Sequence, residues 1–428
     1  MAKKKKTEKP ARQLTKRQLS HYQRQRRRQR IVFIGGIAVI AVIILIVLVG
    51  WFMGEYVPLK ETVIEIDTVE YDLGYYIDAL KYYTYMYYGE NAKPEDVPNL
   101  TNSVTNLIQE SSLIIWGAAT LGISVSDDEV RESLNNLDIK VNNASTDMTK
   151  AQILAGRVKE SYFAEQLPAS DNQVNIMVML LESENQAAEL RDRLQGSDNF
   201  SALAEEFSLH SSQANKGEIG WHPKDVLVDL LSSFVPGNYA FSAKAGDLSE
   251  PLYDKQKSKQ VGYWLINVLE IPSEMSAQVQ GILLGSEQEA REIKAELKVT
   301  DNLTGLIEEY SQHQDSKERG GHLGLVNKNT MSEAVDGYVF SDNVEIGVWS
   351  EPLRDETVIT IGGYWLVKVL DKDDDKEITE EDREYLLNQA YNDWFNALRM
   401  QKIAFISIAA LTPEKIQWAV EKVQESLQ

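Results

Sequence analysis

Only a few residues of this sequence are suited to catalysis or metal binding, because it has five histidines, four of them beyond residue 200, and no cysteine. None of the 428 residues is a cysteine, which excludes disulfides, thiolate metal sites and cysteine nucleophiles. His210 and His313 each follow an aromatic–serine pair, and an imidazole there can exchange a proton near neutral pH; the alternative is an ordinary polar loop residue. His222 and His322 lie beside glycine-rich turns without an H-x-x-x-H pattern or an acidic cluster. We therefore expect no metal and no cofactor.

His210 and His313 belong to two copies of an internal repeat, each roughly a hundred residues long. Each copy contains an opening strand, a helix that ends in the aromatic–serine pair, a glycine-rich turn, a Ser-Glu-Pro-Leu block and a closing Gly-Tyr-Trp-Leu strand. The blocks occupy residues 174–181, 199–208, 216–221, 245–252 and 261–268, and again 279–284, 302–311, 320–324, 347–353 and 363–369. This order predicts two α+β units, each with a small, mostly antiparallel sheet completed by its own closing strand.

The blocks resemble the parvulin-type (PpiC-like) peptidyl-prolyl isomerase domain, with its Phe-x-x-Leu-Ala-x-x-Phe/Tyr-Ser, Gly-Gly-x-Leu-Gly-Trp and Gly-x-Leu-Ser-x-Pro motifs. The resemblance implies a domain that lowers the barrier of about 18–20 kcal/mol to peptide-bond rotation. Active members of the family carry a histidine on the first strand, another on the last, and an Asp or Cys after the aromatic–serine pair. The corresponding residues are Val178, Trp264 and His210 in the first copy and Gly281, Trp365 and His313 in the second. The missing strand histidines imply weak or absent catalysis, with His210 as the candidate catalytic residue.

Aromatic side chains provide candidates for binding a client polypeptide. Burial of one large apolar side chain against a client contributes about 1.5–3 kcal/mol to the free energy of binding. The alternative is that these aromatic residues fill the domain core, and we favour this alternative for Phe241 and Phe340. Residues 71–88 predict a helix with eight tyrosines, too many for one core-facing stripe, so some should line an exposed surface or cleft. The predicted substrate-binding residues are Trp221, Phe241, Trp264, His313, Phe340 and Trp365.

Charge and hydropathy divide the chain into a basic tail, an apolar run and an acidic body. Residues 1–30 contain thirteen Lys/Arg and one acid, whereas the whole chain has a net charge of −21. Residues 31–53 carry no charge and are long enough to cross a bilayer. The positive-inside rule predicts a cytoplasmic N-terminus and an extracytoplasmic body; the alternative is a cleaved signal peptide. An acidic body predicts no nucleic-acid partner.

These observations predict an α+β protein with a transmembrane helix, a discontinuous helical domain that resembles the SurA chaperone domain, and two parvulin-like domains. Helices are expected over about 101–121, 148–167 (opening after Thr146 and Asp147), 379–400 and 412–427, and the apolar residues 403–411 are expected to be buried. A short polar joint at 272–275 should separate the repeats. The predicted domains are 1–30 (basic tail), 31–53 (membrane helix), 54–170 (helical domain), 171–272 and 276–371 (parvulin-like domains) and 376–428 (C-terminal helices on the helical domain).

Three functions fit this organisation. The first is a membrane-anchored extracytoplasmic chaperone or foldase that binds unfolded or newly translocated polypeptides. The second is an active peptidyl-prolyl isomerase with a variant site around His210. The third is a non-catalytic scaffold in a membrane complex, because a fold alone does not decide function. An accessible cleft lined by the tyrosines of residues 71–88 would favour the chaperone over the scaffold.

Overall fold

The computed structural model describes residues 16–135, 141–300 and 302–427. Residues 1–15, half of the predicted basic tail, lie outside this range. The chain divides into two compact units: unit 1 comprises Met1–Tyr162 and Tyr391–Gln428, and unit 2 comprises Phe163–Ala390.

The α-helices of the described residues, apart from shorter 3-10 and π-helical segments, are in chain order α1 (Lys16–Trp51), α2 (Leu73–Tyr88), α3 (Thr101–Thr120), α4 (Asp127–Asn135), α5 (Asn143–Arg157), α6 (Ala164–Gln166), α7 (Glu184–Gly196), α8 (Phe200–Phe207), α9 (Lys224–Leu231), α10 (Phe234–Ser242), α11 (Glu287–Leu297), α12 (Leu303–Tyr310), α13 (Gln314–Lys317), α14 (Glu333–Val339), α15 (Glu380–Lys402) and α16 (Pro413–Ser426). The strands are β1 (Thr62–Ile66), β2 (Val69–Asp72), β3 (Ser170–Leu181), β4 (Glu218–Pro223), β5 (Leu252–Lys259), β6 (Gly262–Ser273), β7 (Ser276–Leu284), β8 (His322–Asn327), β9 (Leu353–Asp355), β10 (Thr360–Glu377) and β11 (Ile406–Ser407). Helices and strands are therefore mixed, as the α+β prediction required.

Helix α1 contains residues 31–51 of the uncharged run, and a π-helical turn, Phe52–Tyr56, contains the last two; the apolar side chains of the run are exposed. The stretch Arg30–Lys60 is long and apolar enough to cross a membrane, and an 18-residue window within it has a mean hydropathy of 3.4. This conclusion rests on length and composition alone, and a signal sequence has the same properties.

The helices of unit 1 pack around α2. Asp72 caps α2 by accepting a hydrogen bond from the Tyr75 amide at 2.8 Å, and Tyr76 on the core-facing side of this helix is fully buried. Helix α5 begins at Asn143, before the predicted opening, because Asn142 and Ser145 form a capping box with bonds of 2.8 and 3.0 Å.

The chain returns to unit 1 through the end of α15 and through α16. Helix α15 comes so close to α3 that a Cβ added at Gly117 would lie 2.7 Å from Cζ2 of Trp394. The close approach therefore requires glycine at this position.

Residues 403–411 contradict the expectation of a buried apolar segment. Apart from the half-buried Ile406 and Leu411 they are exposed, including Ile403, Phe405 and Ile408. Ile403–Phe405 form a 3-10 turn, and only Ile406–Ser407 form a strand, β11, at the edge of a small sheet with strand order β11-β1-β2. Composition alone therefore misassigned this segment to the core.

Unit 2 contains two four-stranded antiparallel sheets. Lobe A is built on the sheet β4-β3-β10-β5 with helices α7–α10, and lobe B on the sheet β8-β7-β6-β9 with helices α11–α14. Buried apolar side chains cover both faces of each sheet.

The two repeats exchange their closing strands, contrary to the expectation that each completes its own sheet. Strand β10, from the second repeat, pairs with the opening strand of the first, from Tyr364 opposite Leu181 to Glu377 opposite Ser170. Strand β6, from the first repeat, pairs with β7 of the second. Each lobe therefore combines segments of both repeats, and the domain bounds 171–272 and 276–371 stay a prediction about the sequence repeats.

The exchange has a local cause at the predicted joint. Ser273 lies opposite Ser276, so residues 272–275 form the end and turn of a β6–β7 hairpin rather than a linker between domains. A hairpin closes a very short loop and loses little chain entropy. Once β6 is committed to β7, β10 is the remaining strand that can complete lobe A.

Candidate functional site

The strand exchange decides which residues form each parvulin-like site. Site A, in lobe A, contains Val178 from β3, His210, Asp254 from β5 and Trp365 from β10. Site B, in lobe B, contains Gly281 from β7, His313, Asp355 from β9 and Trp264 from β6. The sequence repeats had placed Trp264 with His210 and Trp365 with His313, and this assignment was wrong because the closing strands are exchanged.

In site A, a tryptophan and an aspartate occupy the centre of the lobe. Trp365 is 0% exposed, and its Nε1–H donates to Asp254 Oδ2 at 3.2 Å. The Ser233 hydroxyl donates to the same oxygen, and the backbone N–H of Gln256 donates to Oδ1 at 3.1 Å. A buried carboxylate with three donors is well satisfied, so the pair fixes the indole where a closing-strand histidine would stand.

His210 packs against this tryptophan and is hydrogen-bonded within its own turn. It is 9% exposed, and its ring centre lies 5.2 Å from that of Trp365. Nδ1 accepts a hydrogen bond from the Ser212 amide at 3.2 Å and lies 2.9 Å from the Ser212 hydroxyl oxygen. Burial, and then the charge of Lys257, lower the pKa of His210 to about 4. The imidazole is therefore neutral at physiological pH and caps the following turn.

Lys257 is a site A residue that the sequence patterns did not reveal. Its Nζ donates to the Leu231 carbonyl at 2.6 Å and lies 5.4 Å from the Trp365 ring centre. Burial lowers the pKa of Lys257, and Asp254 partly opposes this. The aligned residue of the second repeat is Val358, and this mismatch between the copies is the signal that could have identified it.

Site B repeats the arrangement. Trp264 is 2% exposed, and its Nε1–H donates to Asp355 Oδ2 at 3.1 Å. The ring of His313 stands edge-on to Trp264 at 5.1 Å. His313 Nδ1 accepts from the Ser316 amide at 3.3 Å, and burial lowers the pKa of this histidine as well. The same tryptophan, aspartate and capped histidine therefore occur in both lobes.

Gly281 explains why site B cannot hold a strand histidine. A Cβ at this position would lie 2.9 Å from Leu323 Cδ1 and 3.3 Å from Trp264 Cε3. Both distances are tighter than ordinary van der Waals contact, so glycine makes room for the indole. The glycine at 281 and the tryptophan at 264 are thus two parts of one packing arrangement.

The aromatic residues predicted to bind substrate differ in accessibility. Trp264 and Trp365 are core residues, so their assignment to client binding is corrected. Phe241 and Phe340 are half-buried against the cores of lobes A and B, as the alternative reading expected. Trp221 on β4 is half-buried, and Lys376 Nζ lies 4.3 Å from its ring centre.

Two clefts provide accessible surface. Beside site A, a cleft of about 430 Å³ is lined by Asp225, Asp254 and the 71%-exposed Phe234, among others. In unit 1, a mainly apolar cleft of about 210 Å³ is lined by Tyr82, Tyr85, Val423 and Leu427, together with polar residues of α2. The second cleft contains two tyrosines of the tyrosine-rich helix.

His222 links two elements of unit 2 through its ring nitrogens. Its Nδ1 lies 2.9 Å from Asp382 Oδ1, and its Nε2 lies 3.1 Å from the Ile219 carbonyl oxygen. Asp382 is in the first turn of α15. The imidazole therefore links β4 to the start of the long C-terminal helix.

The two sheets, their inserted helices and the paired sites define a tandem of parvulin-like lobes. Comparison with known proteins agrees: the rotamase model described as the PPIC-type PPIase domain matches residues 180–270 and 283–371. The chain thus carries two PPIC-type domain segments.

Relatives of the chain include named chaperones and foldases. Chaperone SurA of Chromohalobacter salexigens is 23% identical over 270 residues, covering 53% of this chain and 58% of the relative. Foldase protein PrsA 4 of Bacillus cereus is 25% identical over 242 residues, covering 53% and 71%. Foldase protein PrsA of Exiguobacterium sibiricum is 34% identical over 100 residues, covering 23% and 31%. The match thus spans little more than half of the SurA relative and under a third of the Exiguobacterium protein.

Solved structures of PrsA proteins are also similar to this chain. The peptidylprolyl isomerase PrsA of Bacillus cereus aligns over 86% of this chain and 92% of its own, with 10% identity and a TM-score of 0.27.

Proposed function

We propose that this protein is a membrane-anchored extracytoplasmic folding factor that holds extended or unfolded polypeptides. The observation that carries the proposal is the apolar cleft lined by Tyr82 and Tyr85 in unit 1. Tyrosine offers a large amphipathic contact area at a low cost in conformational entropy. The names of the SurA and PrsA relatives, a chaperone and foldases, support the same class.

The parvulin-like lobes contribute to binding more than to isomerisation. A rotamase must bind the twisted X–Pro amide more tightly than the planar one, which requires polar groups at the reacting bond. In site A the closing-strand position holds the buried Trp365, and His210 already accepts a hydrogen bond from Ser212. Apolar surface alone stabilises both forms of the amide about equally.

Residues 31–53 form the proposed anchor, with the N-terminus in the cytoplasm and the body outside. The arginines at 24, 26, 27, 28 and 30 support this orientation through the positive-inside rule. Protease added outside intact cells should digest the body and spare the tail. Protection of the body, or release of a shortened protein into the medium, would contradict the anchor.

The function is tested with the full chain in detergent micelles, in two assays run side by side. We expect clear suppression of the aggregation of an unfolded client, weakened in Tyr85→Ala, and little acceleration of refolding limited by a proline step. A large acceleration that His210→Ala abolishes would instead favour the isomerase. Failure in both assays would favour the scaffold.

A further inference from the structure

The cleft beside site A combines one exposed aromatic side chain with several acidic ones. It has a volume of about 430 Å³, and the described residues that line it include Asp225, Asp229, Asp254 and Phe234 but no Lys or Arg. Phe234 is 71% exposed. A cleft of this size accepts a group as large as a few side chains rather than a folded partner. The lining thus matches a ligand that carries an apolar group beside a positive charge.

The turn between α9 and α10 is fixed before any ligand binds. Ser233 caps α10 by accepting a hydrogen bond from a backbone N–H of its first turn at 3.1 Å, and its hydroxyl donates to Asp254. Lys257 Nζ donates to the carbonyl oxygen of the last residue of α9 at 2.6 Å. Phe234 directly follows this turn, so the backbone that carries its ring is already ordered. A ligand that packs on the ring therefore avoids the entropic cost of ordering a loop.

Asp225 and Asp229 supply negative charge that has no close positive partner. They stand four residues apart on α9, which places them on the same side of the helix, and neither forms an ion pair with another described residue. Like charges at this spacing destabilise a helix, and a positive group in the cleft would relieve their repulsion. The described part of the chain contains no group of three acidic or histidine side chains that could hold a metal ion. The positive charge is therefore better supplied by a basic side chain than by a bare metal cation.

Lobe B differs from lobe A at both walls of this cleft. Only residues 328–332 connect β8 to α14, where lobe A has the whole of α9. Helix α14 begins at Glu333, after its N-cap Ser332, whereas α10 begins at Phe234, after Ser233. An exposed glutamate thus takes the position of the exposed aromatic ring. The two lobes of one chain therefore provide a test site and a matched control.

We infer that the cleft beside site A binds a short extended client segment in which a basic side chain neighbours an apolar one. The inference rests on the proposed function and specifies which client segments lobe A selects. The apolar side chain would pack on the ring of Phe234, and the ammonium or guanidinium group would face Asp225 and Asp229. Salt screens attraction between exposed charges, so binding should weaken as the ionic strength rises. An acidic client segment should be repelled from the same cleft.

The test uses the full chain in nanodiscs of uncharged phosphatidylcholine and two fluorescent peptides that differ only in an arginine or a glutamate beside a central leucine. We expect the arginine peptide to bind about tenfold more tightly. Asp225→Asn combined with Asp229→Asn should weaken its binding about fivefold and reduce the dependence on salt. Glu333→Gln combined with Glu345→Gln removes the same charge from lobe B and should leave binding unchanged. Equal affinity for the two peptides, or equal losses in both double variants, would overturn the inference.

Phe234→Ala tests the apolar half of the cleft and separates this inference from the proposed function. It should weaken binding of the arginine peptide about tenfold, since it removes one large apolar contact, and the unfolding midpoint establishes that each variant is folded. If the unaltered protein suppresses client aggregation but binds both peptides equally, the selectivity of lobe A is wrong and the proposed function stands. If it prefers the arginine peptide but fails to suppress aggregation, the proposed function is wrong.

Discussion

Sites A and B are built from different residues that reach the same arrangement. Each holds a buried tryptophan bonded to an aspartate, at 3.2 Å in site A and 3.1 Å in site B, and a histidine that caps the next turn. They differ at the first strand, where site A has Val178 and site B has Gly281. They also differ near the tryptophan, where Lys257 of site A corresponds to Val358 of site B. Both lobes thus hold a packed indole at the centre of the site, and each accommodates it with a different first-strand residue.

The largest effect should come from removing the tryptophans. Trp365→Ala is expected to lower the free energy of unfolding by about 3–5 kcal/mol through the cavity it leaves. Because the closing strands are exchanged, amide hydrogen exchange should accelerate first in β3 and β5 of lobe A. Trp264→Ala should act first on β7 and β9 of lobe B. The reverse pattern would show that each repeat keeps its own closing strand.

The free energy of unfolding should decrease at acidic pH because of the buried histidine of site A. The pKa of His210 is lowered from 6.5 to about 4 in the folded state, so the folded protein binds fewer protons than the unfolded chain between these values. This difference in proton binding adds up to about 3 kcal/mol to the free energy of unfolding. The contribution is fully present above pH 6.5 and is lost as the pH falls toward 4. Urea unfolding at pH 7 and pH 4.5 should show a smaller acid loss in His210→Gln. An unchanged loss would mean that other groups dominate.

First-strand substitutions should destabilise the two sites for opposite reasons. Gly281→Ala should cost about 1–3 kcal/mol by overpacking against Trp264 and Leu323, and Val178→Ala about 1–2 kcal/mol by leaving a cavity. Adding Trp264→Phe should rescue Gly281→Ala, because the smaller ring frees space. In a double-mutant cycle, additive effects would contradict the packing explanation.

The smallest effect concerns Lys257. Lys257→Met should change the unfolding free energy by about 1 kcal/mol or less, yet it should raise the pKa of His210, which the lysine charge lowers. An NMR titration of the imidazole measures this directly. Val358→Met is the matched control and should leave the pKa of His313 unchanged. An unaltered pKa of His210 would contradict the assignment of Lys257 to site A.

The repeats, the α+β class and most helices could be predicted from the sequence, because apolar spacing and caps act locally. The strand exchange could not, since both closing strands read Gly-Tyr-Trp-Leu and either would fit either sheet. The turn at Ser273 and Ser276 decides the pairing, and its hairpin geometry is not evident from residue types. Residues 403–411 were misassigned because composition reports apolarity and not the presence of a neighbouring element.

The site was predicted in part. His210 and His313 do lie at equivalent positions beside tryptophans, but the tryptophan partners were interchanged. Lys257 escaped notice because it lies between the Ser-Glu-Pro-Leu block and the closing strand, outside the repeated motifs. Lys257 comes close to Trp365 only when β5 and β10 pair. These two strands lie far apart in the sequence.

The pairing of β3 with β10 also orders events in time. A chain that emerges N-terminus first exposes β3, which ends at Leu181, long before β10 appears at Thr360. Lobe B spans β6 to β9 without interruption, so its sheet is complete while lobe A still lacks a central strand. During synthesis we therefore expect the sheet of lobe B to form first, while the sheet of lobe A is still incomplete. The protein would thus pass through a stage in which the apolar sheet of lobe A is unfinished.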